Sequence, residues 1–182
     1  MSKLLFGEVP GIVEGQKFNS RKALVAAGLH RSIQHGIDGN GDEGVAAIVV
    51  SGGYEDDSDL GDEIIYTGHG GNDPITKKQI AHQSWEAHGN KGLIVSQIRK
   101  LPVRLIRGPH EKSVFAPKEG YAYGGLYKVV DHWDKKGKSG FTVCLFKLKK
   151  IDSLNEETAD EIKEGTLVLL EPIGLEPKWF GI

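Results

Sequence analysis

Two tyrosines and a short acidic turn lie close together between residues 51 and 71. The segment reads SGGYEDDSDLGDEIIYTGHGG and places Tyr54 and Tyr66 near glycines. Two aromatic rings that face each other can hold a flat heterocycle by stacking on both of its faces. A carboxylate at the edge of that gap, from the turn Glu55-Asp56-Asp57, can accept a hydrogen bond from the N4 amine of cytosine. The residue types therefore indicate a site for a nucleobase, and for cytosine among the bases.

The same composition is also typical of ordinary structure. Tyrosines near strand ends often belong to the core or its rim, with the hydroxyl in water. Acidic, glycine-rich runs are commonly solvated loops. From these residue types alone the ordinary interpretation is favoured, so the base site depends on motifs in the rest of the chain.

Such motifs follow one another from residue 6 to residue 151. They read FGEVPG at 6–11, GLHR at 28–31, GIDG at 36–39, GGYEDD at 52–57, YTG at 66–68, QS at 83–84, NK at 90–91, PVR at 102–104, YGGLYKVV at 123–130 and KSGF at 138–141. In this order and spacing they resemble the SRA domain (SET- and RING-associated, also called YDG), a reader of methylated cytosine. The resemblance implies an α+β fold, namely an SRA/PUA-like, twisted, partly closed antiparallel β-barrel with flanking short helices.

The resemblance also implies roles for the residues of the tyrosine segment. Tyr54 and Tyr66 would enclose a cytosine flipped out of duplex DNA, and Asp57 would hydrogen-bond its Watson–Crick edge. Its 5-substituent, methyl or hydroxymethyl, would occupy a small recess near residues 66–68. Backbone groups that complete recognition would come from Ser51, Gly52, Gly53 and Thr67. No catalytic residue, metal ligand or cofactor is implied.

Two loops would contact the DNA around the flipped base. A thumb loop would fill the vacated place in the base stack, and a finger loop would probe the opposite strand. The residues in question are Gln34, His35 and Gly36 in the thumb, and Lys77, Lys78 and Gln79 in the finger. Eukaryotic readers of hemimethylated DNA carry Asn-Lys-Arg in the finger. This chain departs from that pattern, so a looser or different context preference is expected.

The signature that gives the family its second name is also altered. Where the family has Tyr-Asp-Gly, this chain has Tyr123, Gly124 and Gly125. We expect these residues at a turn, where the missing Asp changes structure and not base recognition. Both departures favour a bacterial-type SRA module, as found in modification-dependent restriction endonucleases.

Length and composition fit one ordinary globular domain. The chain has 182 residues, 38% hydrophobic and 26% charged, and contains no run long enough to span a membrane. The single cysteine, Cys144, excludes a disulfide within the chain, which indicates a reducing compartment. These features predict a cytoplasmic protein without membrane contact, and the resemblance to bacterial-type SRA modules implies a bacterial one.

The net charge of −2 hides a strong asymmetry along the chain. Residues 42–73 hold nine acidic groups and no Lys or Arg, whereas residues 91–150 hold fourteen Lys or Arg and four acids. Residues 152–182 hold eight acids and two bases. This distribution is compatible with one basic face for double-stranded DNA and acidic surfaces elsewhere.

Periodicity and capping signals place these residues on elements. The predicted elements are a helix at 20–27, strands at 45–50, 63–66 and 103–107, helical segments at 77–88 and 90–98 separated by Gly89, and a hairpin of 127–133 with 141–148. The strand at 45–50 is wholly apolar and leads directly into the tyrosine segment. Antiparallel strands are expected to dominate.

Domain organisation and function leave alternatives open. Residues 1–151 are predicted to form the modified-cytosine-binding domain, and 152–182 an extension or a linker towards a nuclease domain outside this sequence. The leading hypothesis is a module that flips 5-methylcytosine or 5-hydroxymethylcytosine and acts as the sensor of a restriction system. One alternative is a modification-dependent endonuclease whose HNH-type nuclease lies beyond this chain, and another is a protein-binding scaffold. A homodimer formed through the C-terminal or a further region is also expected.

Overall fold

The structure is a computed structural model that describes residues 3–152. In this part of the chain eight strands and two helices follow one another. They are β1 (Lys17–Phe18), α1 (Arg21–Ala26), β2 (Ile37–Asn40), β3 (Gly44–Val50), β4 (Ser58–Asp59), β5 (Glu63–Thr67), α2 (His88–Ile98), β6 (Val103–Arg107), β7 (Tyr121–Lys136) and β8 (Thr142–Lys150). The predicted extension lies outside the described residues, except for its first residue, Asp152.

The strands form one mixed sheet in the order β2-β3-β6-β7-β8-β5-β4, and β1 pairs with β7. Within the described residues β3 and β6 pair in parallel, and every other pairing of named strands is antiparallel. The α+β class and the dominance of antiparallel strands are thus confirmed. The path has two free ends, β2 and β4, so the predicted partly closed barrel is not confirmed.

The parallel pairing of β3 with β6 determines where the tyrosine segment lies. Every residue of both strands is buried, because these strands form the centre of the sheet. Parallel neighbours require a long crossover, since the chain must return to the same end of the sheet before it starts the second strand. Residues 51–102 form this crossover and contain both tyrosines, the predicted finger and α2.

Helix α1 forms as predicted at its beginning. Ser20 accepts a hydrogen bond at its Oγ from the Ala23 N–H at 3.2 Å, which is the expected N-cap. The helix ends one residue earlier than predicted, and Gly28 follows in the left-handed region with φ +81°. The capped N-terminus and the glycine stop of the predicted helix are confirmed.

The predicted helix at 77–88 is wrong. Its first part is a tight loop, in which Asp73 Oδ1 accepts hydrogen bonds from the N–H groups of Ile75 and Thr76 at 3.0 and 2.6 Å. Lys77 lies in the left-handed region, with φ 60°, and therefore cannot continue a helix. Helix α2 begins only at His88 and includes Gly89, which does not separate two helices as expected.

The turn predicted at 123–125 is also wrong. Tyr123, Gly124 and Gly125 lie inside β7, a strand of 16 residues. The chain does not reverse there. Gly125 has φ +93°, and the pairing of β6 with β7 shifts register between Arg104 and Ile106. This irregularity behaves as a β-bulge, which bends a strand without ending it.

Candidate base-binding site

Both tyrosines line one cavity beside the sheet. Its volume is about 310 Å³, and its lining residues are His35, Gly36, Ile37, Gly39, Tyr54, Tyr66, His69, His88 and Gly89. Tyr66 is carried by β5 and is 5% exposed, whereas Tyr54 lies in the loop after β3 and is half-buried. The two aromatic residues predicted to enclose a base are therefore brought to one cavity, together with His35 and Gly36 of the thumb.

Asp57 does not line this cavity but lies next to both tyrosines. Its Oδ1 accepts a hydrogen bond from the backbone N–H of Thr67 at 2.7 Å. Burial raises the pKa of Asp57 to about 6, although this hydrogen bond acts in the opposite direction. Near pH 7 the side chain is therefore mainly a carboxylate, and it can accept a further hydrogen bond at Oδ2.

The tyrosines themselves stay neutral. Burial raises the pKa of Tyr54 and raises that of Tyr66 further, and the Asp57 carboxylate adds to both shifts. Neutral phenol rings flanking a cavity offer stacking surfaces without a charge that would repel a phosphate.

Close packing limits the backbone of residues 51–57, the loop between β3 and β4 that carries Tyr54 and that we call the base loop. Gly52 has φ +68°, and a Cβ there would lie 2.4 Å from Nδ1 of His110. In the thumb, a Cβ on Gly36 would lie 3.2 Å from the Tyr66 hydroxyl. Ser51 and Gly53 are exposed, and nothing lies within 4 Å of the Cβ position of Gly53. Gly52 thus lets the loop turn against His110, and its two neighbours remain accessible.

The base loop is held by the turn between β7 and β8. The backbone N–H of Lys138 donates to Asp56 Oδ2 at 3.2 Å, and its Nζ donates to the carbonyl of Glu55 at 2.7 Å. Lys135 forms an ion pair with Asp56, with 3.5 Å between Nζ and Oδ1. These lysines of the predicted hairpin turn therefore support the loop that carries Tyr54.

The thumb is an ordered loop at one side of the cavity. Arg21 donates through NH2 to the carbonyls of Ser32 and His35 at 2.6 and 2.5 Å. Ser32 Oγ accepts from the N–H groups of Gln34 and His35 at 3.1 and 3.0 Å. Gln34 and His35 are exposed at its tip, where they can reach a ligand.

The finger is a narrow loop closed by an antiparallel pairing of Asn72 with Gln79. Lys77 and Lys78 are exposed at its tip. Gln79 is half-buried instead, and its Nε2 donates to the carbonyls of Gly70 and Ala81 at 3.0 and 2.7 Å. In this arrangement Gln79 supports the loop and the two lysines remain available for contact.

Sequence reasoning assigned no role to four residues that shape the cavity. Asn90 is buried and exchanges hydrogen bonds with the backbone of His69, accepting from its N–H at 2.9 Å and donating to its carbonyl at 3.1 Å. Gln83 donates to the carbonyl of Gly68 at 2.6 Å. The NK and QS motifs contained both amides but indicated no contact. His69 and His88 line the cavity, yet their isolated positions in the sequence gave no signal.

Residues 3–152 contain no group of three or more His, Cys, Asp or Glu side chains that could hold a metal ion. None of their helices is long and apolar enough to cross a bilayer.

Similar proteins identify the family of this chain. The family model of the SAD/SRA domain matches residues 5–153. The chain belongs to the SAD/SRA family. Among curated relatives of this SRA domain, the histone-lysine N-methyltransferase family member SUVH9 of Arabidopsis thaliana is 36% identical over 185 residues, covering 98% of this chain. The E3 ubiquitin-protein ligase UHRF1 of Xenopus tropicalis is 36% identical over 180 residues, covering 88%. The chain spans 28% and 23% of the length of these two relatives.

Solved structures are similar as well. The modification-dependent TagI restriction endonuclease matches the SRA domain with a TM-score of 0.79 and 49% identity over 85% of this chain and 54% of that chain. The SUVH5 SRA domain bound to fully hydroxymethylated CG DNA matches with a TM-score of 0.70 and 38% identity, over 82% and 96%. The family predicted from the sequence motifs is confirmed.

Proposed function

We propose that this SRA domain binds double-stranded DNA containing 5-methylcytosine or 5-hydroxymethylcytosine and flips the modified base into the cavity between Tyr54 and Tyr66. The observation that carries the proposal is the sharing of one cavity by two neutral tyrosines, with the Asp57 carboxylate beside both. Solved complexes of the SUVH5 SRA domain with fully hydroxymethylated and fully methylated CG DNA support the ligand class.

Each part of the site contributes one step of recognition. Stacking on two rings offsets the cost of extruding the base, which is a few kcal/mol, at roughly 1–3 kcal/mol per stacked contact. Asp57 Oδ2 accepts from the N4 amine, because Oδ1 is held by the Thr67 N–H. Gln34 and His35 fill the vacated place in the stack, and Lys77 and Lys78 contact the duplex beside it. Gln79, by contrast, stabilises the finger from within.

Selectivity for the 5-substituent is expected to be modest. A buried methyl group contributes about 0.8 kcal/mol, or roughly a fourfold preference over unmodified cytosine. The stronger selection is for cytosine over thymine, because thymine presents a carbonyl where cytosine presents the N4 amine.

In its biological setting we propose that the chain is the sensor part of a bacterial, cytoplasmic modification-dependent restriction system. The 49% identity to the TagI restriction endonuclease supports this setting. Cleavage would then need residues beyond this chain, and residues 152–182 would lead towards them. DNA that is bound but not cut by this chain with Mg²⁺ agrees with that division, whereas metal-dependent cleavage by the 182 residues contradicts it.

The proposal is tested by equilibrium binding to matched duplexes that differ at one CpG. The duplexes are unmodified, hemimethylated, fully methylated and hydroxymethylated, and they are compared at one salt concentration because phosphate contacts make affinity salt-dependent. Tyr54→Ala should weaken binding of modified duplexes by about 5- to 150-fold through the lost stack. Tyr66→Phe keeps the ring and should bind as the wild type does. Asp62→Ala, which removes an exposed carboxylate, is the control. Equal binding of all four duplexes, unchanged in Tyr54→Ala, would refute the base site.

A further inference from the structure

Asp56 lies in the base loop between Tyr54 and Asp57, yet it does not line the cavity proposed for the base. Its side chain is 4% exposed and faces the turn between β7 and β8. Asp56 Oδ2 accepts a hydrogen bond from the backbone N–H of Lys138 at 3.2 Å, and Oδ1 lies 3.5 Å from Nζ of Lys135. Burying a carboxylate is costly unless it is paired in this way. Asp56 therefore connects the base loop to the β7–β8 turn.

The base loop is anchored at two points. Its residues 54–57 form one turn, in which the Asp57 N–H donates to the Tyr54 carbonyl at 3.4 Å. Asp57 connects this turn to β5 through the Thr67 N–H, and Asp56 connects it to the β7–β8 turn. Because Asp56 lies between the Tyr54 ring and the Asp57 carboxylate, a shift of Asp56 would displace both of them.

The β7–β8 turn has room for the Asp56 carboxylate because residue 137 is glycine. Gly137 is buried, and a Cβ there would lie 2.7 Å from Asp56 Oδ2 and 3.1 Å from both methyl groups of Val143. The contact with Oδ2 is shorter than a Cβ can make, so a side chain at this position would push the carboxylate away. Asp56 can therefore reach the Lys138 N–H only while residue 137 has no side chain.

We propose that Asp56 is a positioning residue for base recognition. Held by the β7–β8 turn, it places the Tyr54 ring to stack on the flipped cytosine and the Asp57 carboxylate to accept from the N4 amine. Asp56 does this without contact to the base, and Gly137 acts through Asp56. The inference rests on the proposed function, and it adds to that function a determinant of cytosine selectivity outside the base cavity.

The test measures a ratio of affinities in the full 182-residue chain, that for a 5-methylcytosine–guanine duplex over that for a thymine–guanine mismatch, at one salt concentration. A variant that is merely less folded loses affinity for both duplexes by the same factor, so its ratio stays unchanged. The wild-type ratio should be about 5 to 150. Asp56→Ala should lose most of it, whereas Asp56→Asn keeps an oxygen for the Lys138 N–H and should retain most of it. A wild-type ratio in Asp56→Ala, or equal losses in Asp56→Ala and Asp56→Asn, would overturn the proposal.

Gly137→Ala tests the same contact from the other side. It should lower the ratio as Asp56→Ala does, although Gly137 does not line the base cavity. Combined with Asp56→Ala it should cause no further loss, because the carboxylate that the new methyl group displaces is then absent. Independent losses in the double variant would show that Gly137→Ala acts through Val143 instead, and would contradict the proposal. The matched control is Gly41→Ala, whose Cβ would meet the Lys91 side chain at 2.9 Å.

The wild-type ratio separates this inference from the proposed function. If the wild type binds both duplexes equally, the proposed base site fails and this inference fails with it. If the wild type prefers 5-methylcytosine while Asp56→Ala and Gly137→Ala keep its ratio, only the positioning role fails. Urea unfolding shows which variants are folded. Should Asp56→Ala not fold, the comparison of Gly137→Ala with Gly41→Ala decides, and equal ratios in these two variants would overturn the proposal.

Discussion

The backbone N–H of Thr67 donates to Asp57 Oδ1 at 2.7 Å, which ties the Asp57 carboxyl group to β5. Thr67 is buried on β5, and its strand partner is Leu145 on β8. The position of Asp57 Oδ1 is therefore set by the sheet, and in the proposed function Oδ2 is the oxygen that faces the base. A substitution at Asp57 that keeps one oxygen as the acceptor for the Thr67 N–H therefore changes only the other group at the end of the side chain, which would face the base.

Asp57→Asn should therefore exchange the base preference. The Asn carbonyl would keep the hydrogen bond from Thr67, and its NH₂ group would face the base, where thymine offers a carbonyl. We expect affinity for 5-methylcytosine paired with guanine to fall about 5- to 150-fold, corresponding to roughly 1–3 kcal/mol, and affinity for a thymine–guanine mismatch to rise. Both bases carry the same 5-methyl group, so competition between the two duplexes isolates the Asp57 contact. Asp57→Ala should lose discrimination without reversing it, and a reversal in both variants would contradict this geometry.

The raised pKa of Asp57 also makes the wild-type fold sensitive to pH. A pKa of about 6 in place of 3.8 means that the folded protein favours the protonated carboxyl. This contribution to stability is present below about pH 4 and is lost as the pH rises through about 6, by about 3 kcal/mol in total. Asp57→Asn should therefore be more stable than the wild type at pH 8 and equally stable at pH 4. Urea unfolding at pH 4 and pH 8 checks this. If the stability difference between Asp57→Asn and the wild type is the same at both pH values, the pKa of Asp57 is not raised.

Local signals predicted the elements whose sequence determines them directly. The wholly apolar run at 45–50 corresponds to β3, and the alternating residues 103–107 correspond to β6. Ser20 and Gly28 bracket α1 because capping and left-handed glycines are local features. Tyr54 and Tyr66 were also predicted as cavity partners, although this required the spacing of motifs along the whole chain.

The errors occur where specific hydrogen bonds, which composition does not reveal, decide the structure. Lys77 adopts φ 60° because Asp73 and the pairing of Asn72 with Gln79 close the loop, and this overrides helical composition. The glycines at 124 and 125 read as a turn, yet pairing with β6 keeps them in a strand. The parallel pairing of β3 with β6, whose partners Val50 and Arg107 are 57 residues apart, has no local signal at all.

The buried ion pair of Arg107 with Asp59 should dominate the stability of the base loop. Arg107 donates from Nε and NH2 to the two Asp59 oxygens at 2.8 and 2.9 Å, and the Asp59 side chain is 1% exposed. Arg107→Leu leaves that carboxylate buried without its partner, which costs about 3–5 kcal/mol in the free energy of unfolding. Asp59 lies two residues after Asp57, so DNA binding should weaken as well.

The control for this pair is the exposed ion pair of Lys147 with Glu63 at 3.0 Å, where both side chains are about one-third exposed. Lys147→Ala should cost no more than about 1 kcal/mol, because solvent screens an exposed pair. Urea unfolding compares the two variants. Equal losses in the free energy of unfolding would show that burial does not determine how much an ion pair contributes to stability. Arg107→Leu combined with Asp59→Leu should recover part of the loss, since no charge then remains buried without a partner.

His69 should make DNA affinity depend on pH. It follows β5 and lines the base cavity, together with His35 of the thumb and His88 of α2. Burial lowers the pKa of His69, and the two other histidines lower it further. The neutral Tyr54 and Tyr66 line the same cavity. His69 is therefore mostly uncharged at pH 8 in the free protein, and a DNA phosphate close to it would favour its protonation.

Affinity for modified and unmodified duplexes alike should therefore increase as the pH falls from 8 to 6. The slope of log K against log salt should steepen by about 0.9 when His69 becomes charged against a phosphate. His69→Gln should remove this change, and His132→Gln, which does not line the cavity, should not. Asp57 titrates in the same range, but its protonation changes the ratio between cytosine and thymine duplexes and not the salt slope. A salt slope that is the same at pH 6 and pH 8 would show that His69 does not contact a phosphate, even if base discrimination changes with pH.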